Sequence, residues 1–485
     1  MSSPLQTSKS SGLRFLTTIP YSTSIVVLLV VFGVVWGGIT SFGILAPLLI
    51  VFGVLFAYYF VLSAKVRFAS IIAMVLLIQF DPPQQDISLV GYISALIFIG
   101  GLSVSLLKTK ILTEHPLAKS PLLVSFNLFM LWTLGIGVLG VITQTVDFVV
   151  LAKDFLIFMP LFLLPICYME IVEKHKNAEE FLVKCMLILW VAVFVASAIK
   201  IRSSLVQAVY LFELGTSRYD TLNGGLMVFV FISLAMIPSY KKKWFLYSGL
   251  FISVLSLILT FGRSVWVGTV LFIPAVIFLG NKSERKKGYS FLIKITCIGL
   301  VLLTLGYIFI PTVKIGLLFL GNKLFSASKL KTDASIYNRY VEWESLWKYI
   351  TASPLVGYGF GGKYNAYNWL LGFTMYTGYS HNGYLSILFK SGIVGFTLLM
   401  IPFFGFLVKG VKYALNKNIP ERQRAYLRAG VALMLNIMLL GYTGNIFFQR
   451  EMSMYIAFFW CYCMQIEHQF ILKRSSNGLV PLTIK

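Results

Sequence analysis

Tyr379-Ser380-His381-Asn382-Gly383-Tyr384-Leu385 runs straight into a mostly apolar segment, Ser386 to Val408. Upstream, Thr312 to Ser380 collects polar, aromatic and glycine residues that a lipid-facing helix would not tolerate. The junction therefore reads as a long loop folding back into a membrane span. Almost everything else is hydrophobic run or short basic connector. The fold rests on those runs, and any chemistry rests on this loop.

The chain has 485 residues, 58% of them hydrophobic and 12% charged, with a mean hydropathy of +0.83. A soluble chain cannot hide that much apolar surface, so the composition indicates a polytopic membrane protein. The runs are long and do not alternate, which calls for helices and argues against a β-barrel. The net charge of +23 would suit nucleic acid in a soluble chain. In a membrane protein Lys and Arg gather on cytoplasmic connectors, so no nucleic-acid partner is expected. Cys167, Cys185, Cys297, Cys461 and Cys463 all lie inside apolar runs. Cys461-x-Cys463 lacks metal or redox spacing, and the five read as small hydrophobes. Met1 to Thr18 is polar and Ser-rich, without a cleavable-signal pattern.

About fourteen spans are expected from hydropathy. They lie near 21–38, 42–63, 66–80, 88–107, 121–142, 149–170, 179–199, 222–239, 244–262, 264–280, 291–311, 383–408, 427–447 and 452–472. The domain plan is a cytoplasmic tail (1–20), a bundle of about eleven helices (21–311), an extracytoplasmic loop (312–380), about three more helices (381–472) and a cytoplasmic tail (473–485). With the N-terminus inside, the basic connectors fall on one side. They carry Lys65 and Arg67, Lys108 to Lys119, Lys174 and Lys176, Lys241 to Lys243, Lys282 to Lys287, Lys409 to Arg428, and Lys473 with Arg474. Lys200 to Thr221 and Thr312 to Ser380 are then the substantial outside segments.

Arginines on the outside run against the positive-inside bias, so each needs a reason. They are Arg202, Arg218, Arg263, Arg339 and Arg450. Arg263 sits between two spans, where it must be paired, snorkel or meet an anion. Arg218 precedes Asn223-Gly224-Gly225, which opens a span; it is placed for an anion at a helix start, or for an ion pair with Asp220. Arg339 leads a segment in which Tyr340, Trp343 and Trp347 share one helical face, as in a helix lying in the headgroup layer. His115, His175 and His468 fall on the cytoplasmic side, so His381 is the outside histidine. At the start of a span, the positive end of a helix favours the neutral, proton-accepting ring.

Gly357-Tyr358-Gly359-Phe360-Gly361-Gly362 follows no strand of a βαβ unit, which argues against a nucleotide fold. These glycines are expected to form a tight turn near the ligand or the membrane. No metal is expected: Glu342 and Glu344 are about 200° apart around a helix, and guanidinium groups can neutralise a phosphate without one. The expectation is no metal and no cofactor.

Ser380-His381-Asn382-Gly383-Tyr384-Leu385 with Gly392-Ile393-Val394-Gly395 resembles a signature of the O-antigen ligase and O-antigen polymerase superfamily. Pro354-Leu355-Val356-Gly357-Tyr358-Gly359, Arg339 with Trp347, Thr260-Phe261-Gly262-Arg263, and Arg218 with Asn223 resemble its other motifs in order, over residues 210 to 400. The resemblance implies an all-α polytopic membrane glycosyltransferase, a GT-C-like bundle with one large extracytoplasmic loop containing short helices. It implies a polyprenyl-diphosphate-linked glycan donor, a glycan acceptor and transfer without metal at the outer face of the cytoplasmic membrane. Membrane lipids and other polysaccharide export components would be its partners. Arg218, Arg263 and Arg339 would bind the diphosphate, His381 would activate the acceptor hydroxyl with Arg339 beside it, and Asn382 would support His381. The span count is larger than the commonest ligases show, which favours a polymerase of surface polysaccharide over a ligase. A lipid-linked oligosaccharide flippase is the more distant alternative, although its charges would sit at midplane on broken helices. Tyr364, Tyr367, Trp369, Tyr376 and Tyr379 offer flat faces to sugar rings, or anchor the loop in the interface.

Overall fold

The computed structural model describes residues 45–78, 89–107, 120–175, 177–207, 223–238, 243–259, 263–310, 334–369 and 371–476, with isolated positions at 314, 318 and 321. The chain divides into two compact units, Met1–Val66 and Arg67–Lys485. In the first, α1 (Leu45–Leu62) is followed by a turn in which the Ser63 N–H donates to the Tyr59 carbonyl at 2.8 Å. The helix α2 (Ala64–Ile78) begins there and continues into the second unit. That unit adds α3 (Leu89–Leu107), α4 (Pro121–Ile142), α5 (Phe148–Lys174), α6 (Ala178–Gln207), α7 (Asn223–Met236), α8 (Lys243–Leu259), α9 (Arg263–Phe278) and α10 (Lys282–Phe309). After α11 (Ala334–Ala352) come β1 (Tyr364–Asn368), β2 (Phe373–Thr377), α12 (Gly383–Leu415), α13 (Glu421–Thr443) and α14 (Arg450–Ser476).

The protein is mostly helical and of membrane type. Every expected span falls on a helix except 21–38, which lies outside the described residues. Among the described helices α4, α5, α10, α12 and α13 are long and apolar enough to cross a membrane. Local chemistry sets several ends. Pro121 opens α4, where its missing N–H costs nothing. Asp147 caps α5 by accepting the Val149 N–H at 2.7 Å and the Val150 N–H at 3.3 Å. Asn281 and Glu284 form a reciprocal capping box on α10.

The helix α13 is central and packs against α7, α9 and α12. Both α7 and α9 run antiparallel to it. Asn436 contacts Met227 and Arg428 donates to the Ala235 carbonyl, so residue numbers fall along α7 as they rise along α13. A Cβ on Gly268 would lie 2.2 Å from Asn436 Oδ1, and one on Gly280 would lie 3.0 Å from Arg428 Nη1.

Three expectations need correction. Arg424 and Arg428 are not connector charges: they lie buried in α13, where both pair with Glu284 of α10. Arg67 is likewise buried against Glu170. Positive charges beside apolar runs thus include buried ion pairs, because an isolated buried charge is far costlier than a paired one. Second, the loop holds more than the short helices expected of it. It holds the long helix α11 and a two-stranded antiparallel hairpin in which Tyr364 pairs with Thr377 and Asn368 with Phe373. Gly372, at φ +73, makes the turn. Third, the glycine run 357–362 turns tightly as expected, with Gly357, Gly359 and Gly361 at positive φ, but it does so against helix backbones. A Cβ on Gly357 would lie 2.5 Å from the Gly392 nitrogen, and one on Gly359 would lie 2.5 Å from the Gly137 nitrogen.

The reason is a break in α12. Gly392 has φ +61, outside helical geometry. The loop inserts there: Ile393 N–H donates to the Pro354 carbonyl at 2.8 Å, while the Tyr358 and Gly359 N–H groups donate to the Phe389 and Lys390 carbonyls at 2.9 and 2.7 Å. Backbone groups released by the break are satisfied by the loop, as burial requires. The Pro354-to-Gly359 and Gly392-to-Gly395 motifs are therefore two halves of one joint.

Candidate functional site

One end of the bundle gathers the chemistry. The Gly383 N–H, at the start of α12, donates to the Gly444 carbonyl at 3.1 Å, just past the end of α13. The Gly225 N–H of α7 donates to Glu451 of α14 at 2.9 Å. The first residues of α7, α12 and α14 and the last of α13 thus share this end. Arg263, the first residue of α9, stands five residues before Gly268. That is about 7.5 Å further along the helix axis, toward the same end of α13.

The helix α11 lies over this end. Asn338, Glu342, Leu346 and Ile350, four residues apart, form its buried face. Tyr340 and Trp347 are exposed. Arg339 Nη1 donates to the Thr443 carbonyl at 2.9 Å, and the Trp343 and Tyr442 rings meet edge to face at 5.5 Å.

Glu342 grips His381 twice. Its Oε1 accepts the His381 backbone N–H at 2.7 Å, and its Oε2 lies 2.6 Å from Nδ1 of the ring. Burial pushes the Glu342 carboxyl up. The His381 ring, the Ser380 hydroxyl and the His381 backbone N–H outweigh it, so the group sits below the ordinary carboxylate range. With Glu342 ionised, Nδ1 carries the hydrogen that meets the carboxylate, so in the neutral ring the lone pair is on Nε2. The His381 side chain is 32% exposed, against 8% for Glu342, so the free nitrogen belongs to a reachable ring on a buried support.

The hairpin completes the surround. Tyr364 is buried and donates to the Tyr379 carbonyl at 2.9 Å. Burial, and then the nearby Glu342 carboxylate, raise its phenol and keep it a neutral donor. It is a buried strut, neither an open sugar platform nor an interfacial anchor. Asn338 Oδ1 accepts the Trp369 N–H at 2.7 Å and ties the hairpin to α11.

His381, Arg339 and the start of α9 thus come to one end. Arg218 lies outside the described residues, although α7, which follows it, begins there. The Asn382 side chain caps α12 by accepting the Leu385 N–H at 3.0 Å. Among the described residues, the carboxylate that holds the imidazole is Glu342. The sequence reading missed it, along with Asp154 and Lys390. These two form a buried ion pair, and Asp154 also accepts the Gly361 N–H at 2.7 Å. Charges inside two expected spans were the signal. For Glu342 the signal was its place on the buried stripe of α11. Among the described residues no three His, Cys, Asp or Glu side chains converge.

Residues 248–400 match the O-antigen ligase family. The matched region covers about a third of the chain. It contains Arg263, Arg339, Glu342, His381 and both halves of the glycine joint. A search of curated proteins finds no match. The O-antigen ligase-type region and the apolar helices around it support a membrane enzyme of surface-glycan assembly.

Proposed function

We propose that this protein polymerises a surface polysaccharide. It transfers a glycan from a polyprenyl-diphosphate carrier to a sugar hydroxyl of another carrier-linked repeat unit, at the outer face of the cytoplasmic membrane. The observation that carries this reading is the Glu342–His381 pair, 2.6 Å apart, at the same end of the bundle as Arg339 and the start of α9.

The acceptor oxygen bonds to the anomeric carbon of the donor sugar. The bond from that carbon to the diphosphate breaks, and the diphosphate leaves with the electron pair. His381 Nε2 takes the hydroxyl proton, and the Glu342 carboxylate stabilises the imidazolium that forms. Arg339 and Arg263, with Arg218, neutralise the charge growing on the diphosphate. Planar guanidinium forks suit that role better than point charges. No metal is needed in this scheme.

Transfer to a lipid or protein acceptor is the second reading, and the description of the matched family as O-antigen ligase favours it. Purified protein given a defined polyprenyl-diphosphate glycan decides between them. Products that lengthen on the carrier support polymerisation. Glycan appearing on a different lipid supports ligation, and no turnover of the diphosphate donor sinks both.

A further inference from the structure

A cavity of about 150 Å³ opens beside His381, between α11 and the hairpin. Asn338 and Glu342 line it from α11, Tyr367 and Thr377 from the hairpin, and Tyr379 and His381 from the segment that follows. The polar groups here are already oriented. Asn338 Oδ1 is held by the Trp369 N–H, which directs the amide so that its Nδ2 hydrogens remain as donors. That nitrogen has no partner among the described residues. Thr377 Oγ accepts the Tyr379 N–H at 3.0 Å, so its own hydrogen is free to donate elsewhere. Tyr367 is exposed, and the Tyr379 ring stands edge-on to the imidazole at 5.1 Å.

The cavity and Arg339 belong to different faces of α11. Asn338 and Glu342 are one turn apart on the face toward the hairpin, whereas Arg339 and Trp343 follow about 100° further round and meet Thr443 and Tyr442. A diphosphate held on the Arg339 side therefore leaves this cavity empty, and His381 is gripped from the cavity side.

We infer that this cavity is the acceptor subsite, binding the terminal sugar ring of the acceptor glycan so that one hydroxyl reaches His381. The inference rests on the glycan-transfer reading above. The lining matches a pyranose: fixed donors for hydroxyl oxygens, a flat aromatic face and an apolar patch from Ala366 and Met375. It selects an uncharged ring. Glu342 is ionised, and among the described lining residues the sole cation-forming group is His381, which is already engaged by that carboxylate. A uronic acid would bring a second negative charge to the same small space.

The test is steady-state transfer with a polyprenyl-diphosphate donor and a short acceptor glycan, comparing wild type with Tyr367→Ala and Met375→Trp. We expect the acceptor KM to rise about tenfold in each variant, roughly 1.4 kcal/mol, through lost ring contact in Tyr367→Ala and a filled cavity in Met375→Trp, with the donor KM unchanged. An unchanged acceptor KM, or an equal rise for the donor, overturns the subsite. A Met375→Cys variant adds a readout independent of turnover. Acceptor glycan should slow thiol labelling at that residue, resolved by mass spectrometry, and the carrier diphosphate alone should not; equal labelling with and without acceptor overturns the inference. Wild type that turns over no donor would sink the glycan-transfer reading itself, which is a different failure.

Discussion

The two ends of α13 both bury charge, and they do so differently. At the Glu421 end, Arg424 and Arg428 close on Glu284, and Arg428 also donates to the Ala235 carbonyl at 3.0 Å. Arg428 and Glu284 are both almost wholly buried, so this cluster is sealed. At the Thr443 end, Glu342 is buried but the imidazole that it holds is reachable, and a cavity opens beside it. A buried ion pair alone marks architecture as readily as chemistry. What separates the ends is that one pair leaves its imidazole accessible and the other encloses both partners.

This contrast can be broken by substitution. His381→Ala should lower transfer by about 10²–10⁴-fold, the usual range for a general base, with the protein still folded and inserted; near-normal turnover would end the base assignment. Arg428→Ala should do the reverse. Leaving Glu284 without its closest partner costs about 3–5 kcal/mol, read as a lower melting temperature in detergent, while transfer per folded molecule holds. If Arg428→Ala instead abolished turnover in folded protein, the sealed end would not be merely architectural. Arg263→Lys should cost about 10- to 100-fold, because a point charge does not replace a planar fork on a diphosphate; the donor KM and kcat together check it.

Glu342→Gln is the finer probe. The Glu342 carboxyl is held below its ordinary value, so its stabilising contribution is fully present above about pH 4.3. It is lost only as pH falls through the lower folded value. Wild-type transfer should therefore keep its Glu342 contact at every neutral and mildly acidic pH. In Glu342→Gln the imidazolium loses its counter-charge. The acid limb of the pH–rate profile should then move to lower pH, and kcat should fall about tenfold. An unmoved limb would reduce Glu342 to packing. The smallest expected effect is that of EDTA, which should leave transfer unchanged. A loss restored by a divalent ion would overturn the metal-free scheme.

The hydropathy of the chain by itself determined a membrane-type helical protein, and nearly every described helix stands where an apolar run predicted it. Those runs need no partner to be recognised, because the bilayer is their solvent. His381, Arg339 and Arg263 were visible as polar groups in places that lipid penalises. The tertiary structure alone decided what each of them meets. Glu342 lies 39 residues from His381 in sequence, and nothing local announces that α11 will deliver a carboxylate to that imidazole. Gly357 read as a turn and Gly392 as part of a span, yet they are a loop and the helix break it fills. Arg428 reads as a connector charge and is a buried ion pair. Burial and pairing depend on which helix arrives opposite, a long-range outcome of packing that a window sliding along the sequence cannot contain.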